Sequence, residues 1–471
     1  MIFLVFSSLT FLYIFLPICL VFYFLTKRIK VRNGVLLVFS LLFYAWGEPK
    51  YIFLMVATTA VDFFAGLFIE KYRGTKKAKL FLTLAVVLTL SSLGVFKYFD
   101  FFAESANSLM QIHIPLLGLS LPIGISFYTF QALTYVVDVY RGKVPVQPYF
   151  YKLLLYVSMF PQLIAGPIVR YNDVCRQIES RTCTFQKAAN GILRFCVGLL
   201  KKVLIANYAG ELTEKLLGGD LAALSALGAW VGIAAYTLQI YFDFSGYSDM
   251  AIGLGQVFGF DFPENFRYPY AARSISDFWR RWHMTLSSFF RDYVYIPLGG
   301  NRKRWAVNML LVWLLTGLWH GASWNFVLWG LYYFVFLMLE KLYLGKRLET
   351  LPKALQHIYT MLVVLFGWVF FYFEDLSAIK AFFISAFGGH GFSNLTQSTV
   401  CVNYIAVLLV GAVLSCPILP YLKTVAHRLS AKRLGRASVN TACLLFAIGA
   451  LAVATAALVG TSYNPFLYFR F

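Results

Sequence analysis

Two stretches of this chain run without a charged side chain for longer than a membrane-crossing helix, and nothing else in it limits the possible folds so strongly. Residues 2–25 contain no Asp, Glu, Lys or Arg, and neither do residues 307–339, where the one imidazole is that of His320. A helix needs about 20 apolar residues to cross the hydrocarbon core. The rest of the composition agrees: 60% of the 471 residues are hydrophobic, 18% aromatic and only 13% charged. A soluble domain carries roughly 25% charged residues. The chain therefore reads as an all-α polytopic membrane protein, with about 11 to 13 spans expected.

The net charge of +20 would raise the question of nucleic acid in a soluble protein. Here the Lys and Arg fall in short runs between apolar segments, as in cytoplasmic loops facing anionic lipid. Membrane lipid is thus an expected partner and nucleic acid is not. The basic run at 27–32 follows the first apolar stretch, the reverse of a signal peptide, so that stretch is expected to remain as a span. The clusters at 27–32, 71–79 and 141–143 share one side of the membrane if the N-terminus faces outward, away from the cytoplasm.

Spans are expected at 3–25, 34–46, 51–69, 80–99, 116–139, 188–208 and 223–243, two around His320, and then 357–373, 377–389, 401–420 and 441–460. Residues 151–169 are apolar but cut by Pro161, Gly166 and Pro167, with basic loops on both flanks. That pattern predicts a re-entrant hairpin covered by protein. From Arg267 to Arg304 arginines are mixed with Trp, Phe and Tyr, which predicts amphipathic helices lying at the cytoplasmic interface. With no internal repeat or low-complexity linker, one membrane domain over 1–471 is the simplest partition: N-terminal helices to 140, a core over 141–345, and C-terminal helices from 346. The seven cysteines show no Cys-x-x-Cys pair, so neither a disulfide framework nor a metal site is expected.

His320 lies in Trp319-His320-Gly321, inside an apolar stretch whose other strongly polar side chain is Asn325. A histidine at membrane depth is costly and marks a functional site by default. Gly317 and Gly321 flank it, where a helix can break and the backbone can approach a substrate. Burial should keep the imidazole neutral and able to take a proton from a hydroxyl. The plainer reading is a structural histidine bonded to a carbonyl at a helix break. Trp319 is a candidate wall of the same cavity. His283 sits in residues 277–292, which read as one helix with Trp279, Trp282, His283, Leu286 and Phe290 on its apolar face; packing is the ordinary role of such a residue. Arg280, Arg281 and Arg304 suit the phosphates of a nucleotide-bearing donor, although lipid headgroups explain them as simply. Asp243 belongs to a polar patch with Ser245, Ser248 and Asp249, expected to contact substrate, cap a helix, pair with an arginine, or hold an ion in a transporter. There is no Gly-x-Ser-x-Gly elbow, Walker A sequence, His-Glu-x-x-His or dinucleotide fingerprint.

Together, the segments 242–249, Glu264-Asn-Phe-Arg-Tyr-Pro-Tyr270, 277–300 and Trp319-His320-Gly321 resemble the membrane-bound O-acyltransferases, and among them the group of the alginate O-acetyltransferase membrane subunit. Ser126-Phe-Tyr-Thr-Phe-Gln131, Phe160-Pro-Gln-Leu-Ile-Ala-Gly-Pro167 and the near-terminal 464–469 fit the same group. The resemblance implies a ring of tilted helices around a funnel or tunnel, with His320 as the essential histidine and His283 as its companion. It further implies an acetyl donor, most simply acetyl-CoA with no tightly bound cofactor, and periplasmic acetyltransferase or adaptor proteins as partners in a bacterial inner membrane. The D-alanyl transferase of teichoic acid synthesis is the rival within the fold, and a polysaccharide transporter or channel is the rival outside it.

Overall fold

Backbone polar groups in a bilayer have no water to bond, so apolar runs of this length must fold as helices or closed barrels. The computed structural model describes residues 4–429, 433–460 and 463–470, and among them every regular element is helical. The expected first span begins at residue 3, outside the described residues. Six helices among the described residues are long and apolar enough to cross a membrane, or seven if the bent pair Leu395–Asn403 and Ile405–Leu414 forms one span. Other expected spans appear as shorter apolar helices, such as Trp305–His320 and Leu376–Ala386. The spans expected at 188–208 and 223–243 are parts of longer helices, since the chain is helical from Phe185 to Leu217 and from Ala226 to Val257.

The chain divides into two compact units, one comprising Met1–Phe195 with Met250–Pro263 and the other Cys196–Asp249 with Glu264–Phe471. In the first unit, helices Ile52–Lys71, Lys76–Leu93 and Ile125–Tyr140 pack together. Their approach is close: a Cβ at Gly66 would lie 2.7 Å from the Tyr135 hydroxyl. The carboxylate of Asp62, fully buried, accepts a hydrogen bond from Thr89 Oγ1 at 3.1 Å. The span expected at 116–139 becomes helical only at Ile125, because Gly124 takes a left-handed conformation (φ 74°). A side chain there would meet Leu163 O at 3.0 Å.

The expected re-entrant segment consists of the helices Phe150–Ser158 and Phe160–Leu163, separated by a turn at Met159. Every residue from 152 to 169 is buried. Tyr156 Oη donates to Val169 O at 2.9 Å and Gln162 Nε2 to Tyr156 O at 2.6 Å. Irregular backbone at membrane depth is tolerated only under such cover.

Candidate active site

The second unit holds His283 and His320. Helices Trp305–His320 and Trp324–Leu339 cross with their backbones in contact, since a Cβ at Gly317 would lie 2.2 Å from Phe326 O and one at Gly330 2.4 Å from Trp313 O. Small residues at a helix crossing permit this approach. Gly317 therefore serves packing, not the break expected there. The helix ends at His320, and Gly321 turns extended (φ −169°). The half-buried His320 ring packs edge to face on Trp319, Trp329 and Phe371, at centroid distances of 4.9, 5.1 and 5.1 Å.

Residues 277–292 do not form the single helix that their apolar period suggests. They split into Ile275–Trp279 and Met284–Phe290, with His283 between them in a left-handed conformation (φ 43°, ψ 52°). Such a conformation costs a residue with a side chain about 1–3 kcal/mol and persists only where the surroundings impose it. Asn265 does the imposing. Its carbonyl accepts from Met284 N at 2.9 Å, and its Oδ1 accepts from Thr285 N at 3.3 Å and Thr285 Oγ1 at 2.8 Å. The first short helix is capped twice. Ser274 accepts from Asp277 N at 3.0 Å, and the buried carboxylate of Glu340 accepts from Ile275 N at 2.6 Å and Ser276 N at 2.9 Å. Four orphan amides at a helix start need such acceptors, and a negative charge there also favours the helix dipole.

His283 and His320 line one cavity, with Ile240, Phe244, Trp282 and Trp329 among its other walls. About 10 Å³ is open in it, room for roughly one water molecule. Trp319 packs edge to face on both imidazoles, 5.6 Å from His283. His283 is buried, and that burial pushes its imidazole down to about 3. It is therefore neutral at physiological pH and offers one lone pair and one N–H. A larger, apolar cavity of about 390 Å³ lies elsewhere in the unit beside Lys201, Phe242 and Val410. Among the described residues Lys201 is the one charged side chain that lines it, and it is paired with Asp249 at 2.6 Å.

The remaining candidates divide clearly. Trp282 lines the cavity, whereas Trp319, expected as a wall, packs against both imidazoles without lining it. Asn325 is fully buried, its Nδ2 donating to Phe370 O at 3.1 Å, and it does not line the space between the histidines. Arg281 pairs with Asp277 at 2.8 Å, while Arg280 and Arg304 are exposed. The aspartates were expected to cap a helix or pair with arginine: Asp243 does cap one, its Oδ2 accepting from Leu467 N at 2.8 Å at the start of the short helix Leu467–Arg470, and both aspartates form ion pairs with lysine. Asp243 lies within helix Ala226–Val257 and pairs with Lys202 at 2.8 Å, and Asp249 pairs with Lys201. Sequence reasoning passed over Asn265 and Glu340, both of which act on backbone groups far away in the chain. The signal for Asn265 was present in the Glu264–Tyr270 motif, but spacing alone gave it no partner.

The model of the membrane-bound O-acyltransferase family matches residues 38–381. The chain belongs to that family. The acyltransferase is 38% identical to the probable alginate O-acetylase AlgI of Azotobacter vinelandii, over 99% of this chain and 100% of the relative. It is 34% identical to the peptidoglycan O-acetyltransferase of Helicobacter pylori, over 99% and 98%. Its match to the teichoic acid D-alanyltransferase of Bacillus subtilis is weaker, 29% over 62% of this chain and 76% of the relative. The acyltransferase is a multi-pass membrane enzyme, and its His283 and His320 meet at one small cavity.

Proposed function

We propose that this enzyme takes acetyl groups from acetyl-CoA in the cytoplasm and passes them across a bacterial inner membrane for O-acetylation of an exopolysaccharide or cell-wall glycan of the alginate type. The observation that carries this reading is the convergence of His320 and His283 on one tight aromatic cavity. Full-length similarity to O-acetylating relatives supports the acetyl group and the glycan. So little open space favours a two-carbon acyl group over a long chain, and among the described residues no carboxylate lines it to pair with the ammonium of a D-alanyl group.

In this reading His320 deprotonates an incoming hydroxyl or briefly carries the acetyl group. His283 holds the acceptor or the oxyanion, and the indole N–H of Trp329, buried without an acceptor, is a further donor in the cavity wall. The exposed Arg280 and Arg304, with Arg281, receive the phosphates of the donor. The N-terminus faces the periplasm, where acetyltransferase or adaptor proteins collect the acetyl group.

Mass spectrometry of envelope glycans from a deletion strain tests the function. Acetyl esters should disappear in the deletion and return with the wild-type gene. Unchanged acetylation in the deletion strain, or esters of D-alanine in their place, would overturn the reading. For the donor, the doubly substituted Arg280→Ala, Arg304→Ala protein should show a KM for acetyl-CoA raised roughly tenfold with kcat little changed, as for lost uniform binding through charged hydrogen bonds. An unaltered KM would assign these arginines to lipid headgroups.

A further inference from the structure

Asn265 contacts more of the His283 turn than its backbone. Its Oδ1 lies 3.1 Å from His283 Nδ1. The same oxygen already receives the Thr285 backbone N–H and the Thr285 hydroxyl, and a backbone N–H can only donate. The atom facing Nδ1 is therefore the amide oxygen, an acceptor, and Nδ1 must carry the hydrogen. On its other side, Asn265 Nδ2 donates to Ser248 Oγ at 3.3 Å, which holds the amide in this orientation. Asn265, Ser248, Thr285 and His283 are all buried.

We propose that Asn265 is a positioning residue that locks His283 as its Nδ1–H tautomer and so presents Nε2 as a hydrogen-bond acceptor to the acyl-transfer cavity. Which ring nitrogen is free is set by the bond that the other one makes. An unprotonated Nε2 accepts from a hydroxyl or thiol and repels a developing oxyanion. Of the two roles open to His283, holding the acceptor hydroxyl is thus the one the geometry allows. The oxyanion must find its donors elsewhere. This assignment of role rests on the acyl-transfer reading, whereas the tautomer does not.

The test is nitrogen NMR of the purified protein, labelled with ¹⁵N-histidine and reconstituted in lipid, with the His283 signals assigned by their loss in His283→Gln. At neutral pH His283 should show a proton-bearing Nδ1 and a bare Nε2. The opposite tautomer would overturn the proposal whether or not acetyl transfer is observed, which keeps its failure separate from that of the function. Asn265→Asp retains the acceptor and should keep the tautomer, while its carboxylate moves the imidazole titration to higher pH. Asn265→Leu should lose the tautomer bias and lower kcat on the order of 10- to 100-fold, as when the outer partner of an oriented histidine is removed, with KM for acetyl-CoA unchanged. Wild-type kcat in the Asn265→Leu protein would also sink the proposal. If that variant fails to accumulate, the wild-type spectrum and Asn265→Asp still decide.

Discussion

Purified protein carrying His320→Ala is expected to transfer acetyl groups 10²- to 10⁴-fold more slowly than wild type, the range a positioned general base contributes, while reaching the membrane in normal amount. The two halves of this expectation have separate physical causes. His320 is the last residue of its helix and only half-buried, so the helix and its glycine crossing at Gly317 and Gly330 do not depend on the imidazole. Removing the ring takes away the group proposed to exchange protons with a hydroxyl or carry the acetyl group, and it leaves the aromatic side chains of Trp319, Trp329 and Phe371 standing. His320→Gln is the stricter variant, because it keeps volume and hydrogen bonding but cannot take up a proton at neutral pH. Transfer by the Gln variant within a few-fold of wild type would remove His320 from the chemistry. A transporter makes the opposite prediction, that movement of a polymer survives both substitutions while no acetyl transfer is seen even in the wild type.

The long apolar runs announced the fold class, because a bilayer leaves the backbone few ways to satisfy its polar groups. The pairing of His320 with His283 was legible through motif resemblance. Local periodicity had placed His283 on a continuous amphipathic face, where packing was its ordinary role. That periodicity failed at residues 280–283 because the helix is interrupted from outside. Asn265 supplies acceptors to the amides of Met284 and Thr285, and Glu340 caps a new helix start at Ile275. Both are long-range effects that no window of sequence contains. Gly317 and Gly321 looked alike in the sequence, yet one is a packing glycine and the other an extended break. Which is which depends on the neighbouring helix. The partners of Asp243 and Asp249 were missed for a similar reason. Lys201 and Lys202 stood at the edge of an expected span and were not weighed as buried cations, whereas the arginine-rich segment drew the pairing toward itself.

Asp243→Ala is expected to destabilise the protein by about 3–5 kcal/mol, the cost of leaving one member of a buried ion pair alone. Asp243 and Lys202 are both almost fully buried and 2.8 Å apart. Neither partner serves the other alone. Asp243 Oδ2 accepts from Leu467 N at 2.8 Å, and Lys202 also donates to Pro465 O. The pair thus fastens the C-terminal segment to helix Ala226–Val257, where Phe466 stacks on Tyr247 at 4.9 Å. Ile240 and Phe244 of that helix line the histidine cavity, so the segment reinforces one wall of that cavity. Thermal unfolding in detergent should show the loss for Asp243→Ala and again for Lys202→Ala. The double variant Asp243→Asn, Lys202→Met should recover much of it, because no uncompensated charge remains buried. Activity per folded molecule then separates support from chemistry. A positioning role for the pair predicts that the double variant regains most of its kcat along with its stability. A stable double variant with kcat still reduced 100-fold would instead place Asp243 in contact with substrate.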